Sequence, residues 1–391
     1  MLDLVLHPGR DRSVRRRHPW VLSGAVARTS GDGEAGAWVR VLSAEGETLG
    51  FGHWSPASQI RVRLLRFGKD EPGDGLVAER IRAAVARRAG DPLLSDTDAV
   101  RLVNAEGDGL PGLVVDRYGP VVVAKLASAG MHLRRALVAE ALREASGAVH
   151  GFERADATAA RREGLAVRQG PLWGEPPPER VEIREGARRY LVDVVHGQKT
   201  GFYLDQRDTR ALLQTLARGR SVLDLHAYTG GFAVAAAVGG AASVTAVDSA
   251  TEALGLAREN LARNAPALSV RLVEADAHRF LREESATYDL VIADPPPLAK
   301  RQGDVERAAR AYKDLFLHAM RRGAPGAHVL LFSCSAPIDA RLLRQIAFGA
   351  SLDAARPAVV LRELGAPVDH PIALDHPEGA YLHGLLLRLD G

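Results

Sequence analysis

Residues 222–248 of the chain read VLDLHAYTGGFAVAAAVGGAASVTAVD. The stretch begins and ends with short apolar runs, 222–225 and 244–247, that are typical of buried strands. A loop with two adjacent glycines, Gly230 and Gly231, follows the first run, and an alanine-rich segment long enough for a helix separates the loop from the second run. Strand, helix and strand in this order predict two parallel strands of a sheet covered by helices.

The same alternation continues from about residue 190 to the end of the chain. Before the third strand, Leu254, Ala257 and Leu261 share one helical face, and Ser249 and Glu252 have the spacing of a capping box. The sequence therefore predicts an α/β domain with a mostly parallel sheet over residues 190–391. Its predicted strands are 222–225, 244–247, 270–273, 290–293 and 329–332. Before the last of these, one helical face carries Tyr312, Leu315, Phe316, Ala319 and Met320.

Polar or reactive residues lie at the carboxyl end of every predicted strand, which is where open α/β sheets bind ligands. They are 224–232 (DLHAYTGGF), Asp248, Asp276, 294–300 (DPPPLAK) and 333–335 (SCS). The glycines allow a ligand to approach the backbone closely, although their spacing is not GxGxxG. Asp248 has the position of an acidic residue that binds ribose hydroxyls, and Asp276 the position to meet an adenine. Each aspartate alone also fits a helix N-cap.

Cys334 is the single cysteine of the chain, which excludes an internal disulfide or a thiolate metal cluster, and we expect no metal. A lone cysteine on a strand is usually a buried, inert side chain. Cys334 instead comes one step after an apolar run, between two serines, at the predicted catalytic edge. We therefore predict that it is a nucleophile. The prolines after Asp294 stiffen the loop that presents its carboxylate, and the alternative is a rigid strand exit.

The region before residue 190 has a different pattern. Residues 1–70 alternate in short segments separated by glycine-rich turns, which predicts a small β-rich domain. The polar stretch 68–75 is a predicted linker, and residues 71–185 mix helical and strand patterns, which predicts a small central α/β domain. Arg15, Arg16, Arg17 and Trp20 combine phosphate-binding charge with a ring that can stack on a base. We predict RNA binding there, and a solvated arginine run is the alternative.

Overall composition agrees with a globular protein. Hydrophobic residues make up 46% and charged residues 25%, which argues against disorder, whereas a net charge of +3 is too small to prove a polyanionic partner. No apolar run reaches the roughly 18 residues that a membrane helix requires. The N-terminus also lacks the apolar stretch of a signal peptide, so we expect a cytoplasmic protein without a membrane partner.

Over nearly its whole length the chain resembles the class I ribosomal RNA methyltransferases that carry an N-terminal PUA domain, a family whose characterised member methylates carbon 5 of a cytosine in large-subunit RNA. The matching segments are 16–20 (RRHPW), 58–63 (SQIRVR), 106–119 (EGDGLPGLVVDRYG), 196–210 (HGQKTGFYLDQRDTR), 228–234 (YTGGFAV), 294–296 (DPP), 333–335 (SCS), 369–371 (DHP) and 377–379 (PEG). The chain departs from the family pattern at His226, where phenylalanine is frequent, at Leu298 and at 336–337.

The resemblance implies a PUA RNA-binding domain, a middle domain and a Rossmann-like catalytic domain that binds S-adenosylmethionine (SAM). Thr229 and Gly230 would border the methionine part of SAM, Asp248 the ribose and Asp276 the adenine. Asp205 and Arg207 are weaker candidates, for which a helix cap and a surface ion pair are the alternatives. The remaining residues of the predicted cofactor site are Tyr228, Phe232, Ser249, Ala277, Asp294 and Pro295, and Lys300 joins the predicted RNA contacts.

The implied reaction is methylation of carbon 5 of a cytosine. Cys334 would add to carbon 6 as a covalent nucleophile, and Asp294 would bind the N3 and amine edge of the base. The sequence offers no second cysteine for removal of the carbon 5 proton. Two alternatives stay open, methylation of a guanine or adenine nitrogen on the same scaffold and a catalytically silent RNA-binding assembly factor. The expected partner is large-subunit ribosomal RNA, and a second copy of the chain is an open alternative.

Overall fold

The computed structural model describes residues 1–73, 75–299 and 301–390. The chain divides into two compact units. Unit 1 comprises Met1–Ile183, Val192–Phe202 and Val368–Gly379, and unit 2 comprises Arg184–Leu191, Tyr203–Pro367 and Ala380–Gly391. Each unit is therefore assembled from segments that are distant in the sequence. The division into three domains, with boundaries near residues 70 and 185–190, stays a prediction.

The N-terminal part of unit 1 is a six-stranded sheet. Its elements are β1 (Leu2–Leu6), α1 (Arg12–Arg15), β2 (Trp20–Leu22), β3 (Val26–Thr29), β4 (Trp38–Leu42), β5 (Thr48–Trp54) and β6 (Ile60–Phe67). The strand order is β2-β6-β5-β4-β1-β3. Val39 and Val41 of β4 alternate with more exposed neighbours and are fully buried, together with Leu4 and Leu6 of β1. This alternation places one apolar face over a core and confirms the predicted β-rich region.

The second part of unit 1 is a five-stranded sheet covered by helices. Its elements are α2 (Leu76–Ala89), β7 (Ala99–Asn104), β8 (Leu113–Tyr118), β9 (Val121–Leu126), α3 (Ala129–Leu133), α4 (Arg135–Ser146), β10 (His150–Glu153), α5 (Ala157–Glu163) and β11 (Gly170–Trp173). The strand order is β11-β10-β9-β8-β7. Val77 and Ile81 of α2 are fully buried in the core of this sheet, as their helical spacing predicts. A two-stranded ribbon follows, formed by β12 (Arg180–Glu185) and β13 (Arg188–Asp193).

A buried polar network attaches the two remote segments of unit 1 to this five-stranded sheet. The guanidinium of Arg101 binds both carboxylate oxygens of Asp116, at 2.7 and 2.9 Å. Thr200, from the segment 192–202, donates to Asp116 at 2.5 Å. Asp369, from the segment 368–379, accepts the backbone N–H of Arg101 at 2.9 Å. Because these groups are buried and mutually hydrogen-bonded, the network specifies where both segments pack.

Unit 2 contains a seven-stranded sheet whose strands are β14 (Ser221–Leu225), β15 (Ser243–Asp248), β16 (Val270–Glu274), β17 (Tyr288–Ala293), β18 (Gly323–Ser333), β19 (Ala358–Leu364) and β20 (His383–Leu389). Their order is β16-β15-β14-β17-β18-β20-β19. The five predicted strands are confirmed and are parallel to one another. β20 pairs antiparallel with β18 and with β19, and these last two strands were not predicted.

Six helices accompany this sheet: α6 (Arg207–Leu216), α7 (Gly231–Val238), α8 (Thr251–Asn264), α9 (Ala277–Glu283), α10 (Val305–Arg322) and α11 (Ala340–Ala354). The predicted apolar face of α10 lies in the same core as α9, α11 and the strand residues Leu223, Val291 and Leu331. Leu254 and Ala257 of α8 are likewise buried, as predicted. No helix within the described residues is both long and apolar enough to span a bilayer.

An ion pair between Glu185 and Arg210 is buried inside unit 2. Each residue is only 1% exposed. The guanidinium of Arg210 contacts both carboxylate oxygens, at 2.8 and 2.5 Å, and also donates to the carbonyl of Tyr203 at 2.8 Å. The pair connects the ribbon to α6 and to the residue that enters it. A charge buried this deeply is tolerated only while its partner is present.

Replacing Glu185 by glutamine is expected to lower the free energy of unfolding by about 3–5 kcal/mol, because Arg210 would keep a buried charge without a counter-charge. Denaturant unfolding of the purified chain measures this loss. Glu140→Gln provides the control, since Glu140 pairs with Arg143 on the surface of unit 1 and more than half of each side chain is exposed. Equal effects of the two substitutions would contradict the importance of the buried pair.

Candidate active site

Four parallel strands of unit 2 end at the same edge of the sheet. Leu225 of β14 pairs with Val247 of β15 and with Ala293 of β17, and Ala293 pairs in turn with Leu331 of β18. The residues that follow these strands therefore lie side by side. This register gathers the glycine loop after β14, Asp248 at the end of β15, Asp294 after β17 and Cys334 after β18.

Asp248 connects the glycine loop to the start of α8. Its carboxylate accepts the backbone N–H of Tyr228 at 2.8 Å and that of Ala250 at 2.9 Å. The predicted capping box of Ser249 and Glu252 is wrong, because the N-cap residue is Ala250 and it makes no side-chain cap bond. Ser249 is exposed beside it. The carboxylate of Asp248, rather than a side chain at the N-cap, is therefore the hydrogen-bond acceptor next to the start of α8.

The glycine loop has a constrained backbone. His226 and Tyr228 have φ angles of 61° and 50°, in the left-handed region that side-chain-bearing residues rarely adopt. Gly230 has φ 80°, and a Cβ at this position would lie 3.1 Å from the Cβ of Ala257. Only glycine fits there without displacing α8. Several left-handed residues within so short a segment are typical of loops that hold a ligand.

Asp224 lies beneath this loop and is completely buried. One carboxylate oxygen accepts the backbone N–H of Ala233 at 3.0 Å, and the other has no hydrogen-bond partner among the described residues. Burial, followed by the charges of Asp294 and Asp248, raises the pKa of Asp224 to about 8. A protonated Asp224 can donate a hydrogen bond, which an ordinary aspartate at neutral pH cannot.

Further polar atoms at the same edge are buried without a hydrogen-bond partner in the described part of the chain. They are the hydroxyl of Thr229, the amide oxygen of Gln206 and Nδ1 of His226. Burial lowers the pKa of His226 to about 4, so its ring is neutral at physiological pH. Buried polar atoms nearly always have partners in native proteins. Their concentration around the glycine loop therefore fits a polar cofactor that supplies the missing hydrogen bonds.

The segment before α6 completes the edge. The sequence prediction singled out Asp205 and Arg207, and both are buried, which excludes a surface ion pair. Asp205 accepts a hydrogen bond from the hydroxyl of Tyr381 at 2.8 Å. The prediction missed Gln206 between them, whose amide donates to Asp294 at 3.0 Å. Gln206 could have been predicted as a site residue because it lies between Asp205 and Arg207, which the sequence analysis had already selected.

Cys334 lies next to the proline loop and is partly accessible to solvent. Its Sγ is 3.8 Å from the carbonyl oxygen of Pro295, the residue after Asp294. Burial, followed by the charges of Asp294 and Cys334, raises the pKa of the Tyr203 hydroxyl above its ordinary value. The rings of Tyr203 and Tyr228 meet edge to face at 5.5 Å.

Other predicted cofactor residues have clear structural roles. Asp276 is the N-cap of α9 and accepts the backbone N–H of Arg279 at 2.9 Å, while Ala277 is buried behind it. Phe232 is buried and stacks on Phe332, with 6.2 Å between ring centroids. Contacts of these residues with a cofactor stay predictions.

The arginines predicted to bind RNA lie in unit 1 and differ in their surroundings. Arg15 forms ion pairs with Asp11 and with Glu47, both at 2.6 Å. Arg16 is exposed. Arg17 is exposed as well, and its guanidinium lies 5.6 Å from the centroid of the Phe67 ring.

Trp20 is partly buried in unit 1 rather than freely exposed. Its indole N–H donates to Glu106 at 2.8 Å, and its ring meets that of His376 edge to face at 4.5 Å. The indole N–H of Trp20 therefore already has a hydrogen-bond partner, and part of the ring is covered by His376. Lys300, the remaining predicted RNA contact, lies outside the described residues.

The chain is similar to known methyltransferases over nearly its whole length. Residues 4–67 match a PUA-like domain and residues 141–337 match an S-adenosylmethionine-dependent methyltransferase. The protein named ribosomal RNA large subunit methyltransferase I from Salmonella arizonae is 39% identical over 391 residues, which cover 99% of this chain and 97% of the relative. The corresponding protein from Salmonella typhi is 38% identical with the same coverage.

Solved structures show the same fold. A protein from Streptococcus mutans assigned to the SAM-dependent methyltransferases has a TM-score of 0.83 at 23% identity, covering 99% of this chain and all of that chain. A methyltransferase-like protein solved in complex with SAH has a TM-score of 0.86 at 22% identity, with the same coverage. The predicted fold class and the predicted cofactor, SAM, are confirmed. The glycine loop, Asp224, Thr229 and Asp248 are the residues that would hold it.

The unusual pKa of Asp224 predicts a pH-dependent stability. A carboxyl group whose pKa is raised from 3.8 to about 8 on folding binds its proton more tightly in the folded state. The free energy of unfolding should therefore fall as the pH rises from about 4 to about 8. Asp224→Asn removes this contribution, so the cofactor-free wild type should lose stability relative to the variant across this interval. Parallel stability curves, measured by urea unfolding at each pH, would contradict the assignment.

Replacing Asp248 by alanine is expected to weaken SAM binding by roughly 10- to 100-fold, because a carboxylate that orders the loop and faces the ribose position is lost. Isothermal titration calorimetry with SAM measures the change. Asp289→Ala is the matched control, since Asp289 accepts two hydrogen bonds from Ser221 at the opposite edge of the same sheet. Its SAM affinity should equal that of the wild type. Unchanged affinity in a folded Asp248→Ala variant would refute the proposed ribose contact.

Proposed function

Because the chain belongs to the ribosomal RNA large subunit methyltransferase I family, we propose that it methylates carbon 5 of a cytosine in large-subunit ribosomal RNA through a covalent adduct of Cys334. The observation that carries this proposal is the position of the sulfur. Cys334 is partly accessible and its Sγ is 3.8 Å from the carbonyl of Pro295, beside Asp294. A sulfur enclosed in the apolar core would have had no access to a base.

Bound SAM supplies an electrophilic methyl group on a positively charged sulfur. The chain offers a favourable electrostatic environment for that charge, because the carboxylates of Asp205, Asp248 and Asp294 all lie at this edge of the sheet. The buried, unpartnered atoms of Asp224, Thr229 and Gln206 add hydrogen-bonding capacity. These features support the cofactor half of the site on the β14 and β15 side.

The base half of the site lies on the β17 and β18 side. Carbon 5 of cytosine is a poor nucleophile, and addition of the Cys334 thiolate to carbon 6 would convert the ring into an enamine that attacks through carbon 5. Asp294 would accept a hydrogen bond from the exocyclic amine of the base. Its orientation is set by the amide of Gln206, which donates to it at 3.0 Å. After methyl transfer a base must accept the proton of carbon 5, whose bonding electrons re-form the C5–C6 double bond as the bond between carbon 6 and the sulfur of Cys334 breaks.

Two tyrosines support binding of a planar base near Cys334. Tyr203 keeps its proton at all physiological pH values because its pKa is raised, chiefly by burial. Its ring and that of Tyr228 meet at 5.5 Å, and an aromatic surface of this kind can stack on a base. A cytosine reaches such a site only when it is unpaired or rotated out of its helix. The PUA-like region of unit 1 would contribute RNA binding, and a homodimer stays a prediction.

Replacing Cys334 by alanine is expected to abolish methyl transfer, with a loss of at least roughly 1,000-fold, because the enamine can no longer form. The assay uses ribosomal RNA from a strain in which the gene is deleted, labelled SAM, and bisulfite sequencing to locate methylcytosine. SAM affinity should be unchanged in the variant. RNA carrying 5-fluorocytidine should trap a covalent complex with the wild type and not with Cys334→Ala.

The same experiment separates the alternative functions. Full activity of Cys334→Ala would refute the covalent mechanism and would indicate methylation of a guanine or adenine nitrogen. If the wild type binds SAM and RNA without transferring a methyl group, the chain is a silent assembly factor and the proposal is also refuted. Methylcytosine that disappears on gene deletion and returns with the wild-type gene alone would support it.

A further inference from the structure

Tyr312 of α10 contacts the turn that carries Cys334, although it takes no part in the mechanism above. Its side chain is fully buried, and its hydroxyl lies 2.9 Å from the hydroxyl of Ser335. Burial is the main reason that the pKa of its hydroxyl lies above the ordinary value. The phenol oxygen is thus in contact with the serine that directly follows Cys334.

The two serines also hold the backbone around Cys334. The hydroxyl of Ser333 accepts the backbone N–H of Ser335 at 3.3 Å, which forms a tight turn with Cys334 at its centre. The carbonyl of Ser335 accepts the N–H of Ile338 at 2.8 Å, which fixes the exit from the turn. Ser333 and Ser335 are completely buried, whereas Cys334 between them is partly accessible. The turn therefore keeps both serine side chains in the interior and leaves the Cys334 side chain accessible to solvent.

The hydroxyl of Ser335 connects the phenol of Tyr312 to the proline loop that carries Asp294. It accepts the backbone N–H of Ala299 at 3.0 Å and also meets the hydroxyl of Tyr312. In contrast, the direct contact between Cys334 and Pro295 is a long sulfur bond of 3.8 Å, which is weak. The buried hydroxyls form the stronger connection between the two loops.

We propose that Tyr312 is a positioning residue that, through Ser335, fixes the distance between the Cys334 turn and the loop of Asp294. The inference rests on the proposed function, since it assigns the two loops to the nucleophile and to the base-binding carboxylate. A displacement of about 1 Å between reacting groups can lower a rate by about 100-fold. A small hydroxyl far from the cofactor loop can therefore control the chemical step without contributing to cofactor binding.

Tyr312→Phe tests this role, because it removes only the hydroxyl and keeps the ring that packs on Phe316 at 5.7 Å. The single-turnover rate of methyl transfer should fall roughly 10- to 100-fold, with unchanged SAM affinity and an unchanged KM for RNA. The pH profile of Cys334 alkylation by iodoacetamide, measured without RNA or SAM, should also change. Tyr288→Phe is the matched control, since Tyr288 is a buried tyrosine of unit 2 whose hydroxyl contacts Thr245 and Glu284 at 3.4 Å. Its rate and alkylation profile should match those of the wild type.

Ser335 provides a second, independent test. Ser335→Ala should reproduce the effect of Tyr312→Phe, and the double variant should be no slower than either single one, because both break one connection. Ser335→Thr keeps a hydroxyl and should restore most of the rate. Additive losses, or a threonine variant as slow as the alanine variant, would overturn the proposal.

The failure of this inference is distinguishable from failure of the covalent mechanism. If Cys334→Ala stays active, the mechanism is refuted whatever Tyr312 does, while the alkylation profile still reports the geometry of the turn. If Cys334→Ala is inactive but Tyr312→Phe transfers methyl groups at the wild-type rate, the positioning role alone is refuted. A Tyr312→Phe variant that loses SAM affinity and thermal stability together with its rate would also refute it, in favour of a general structural role.

Discussion

The parallel pairing of β14 with β15 and with β17 is the constraint on which the whole of unit 2 depends. Parallel strands in register end together, so the backbone hydrogen bonds of the sheet also align whatever follows each strand. The glycine loop, Asp248, Asp294 and Cys334 are far apart in the sequence and have no other reason to meet. Their common edge follows from this pairing, and the helices between the strands maintain it by burying their apolar faces against the sheet.

The polar groups that are buried at this edge of the sheet lower the free energy of unfolding. Asp224 is buried with one unpartnered oxygen and a pKa raised to about 8, and Thr229 and Gln206 also bury polar atoms that have no partner within the described residues. Each of these groups lowers stability unless something binds it. The apolar core packed against the sheet compensates for that loss. A binding site for a charged, hydrogen-bonding cofactor explains why several destabilising polar groups occur in one place.

Much of this could be predicted from the sequence, because local patterns specify it. The five parallel strands, the apolar face of α10 and the position of Cys334 at the end of a strand follow from residue spacing and from strand ends. Most of what was missed depends on contacts between distant segments. β19 and β20 pair antiparallel at one side of the sheet, and Gln206 meets Asp294. Spacing along the chain carries no information about such pairs, nor about the ion pair of Arg15 with Glu47. The capping box was a local error, since Ala250 rather than Ser249 is the N-cap of α8.

The strand order explains where methyl transfer would take place. From β14 the chain proceeds outward to β15 and β16 on one side, and then returns to β17 and β18 on the other, so that β14 and β17 border the switch point where open sheets form a crevice. The cofactor-type groups, Thr229 and Asp248, lie on the first side, and Asp294 and Cys334 lie on the second. Asp224 of β14 is influenced by both, since the charges of Asp294 and Asp248 each raise its pKa. A methyl group carried by a cofactor on one side and a base held on the other would therefore meet above β14 and β17.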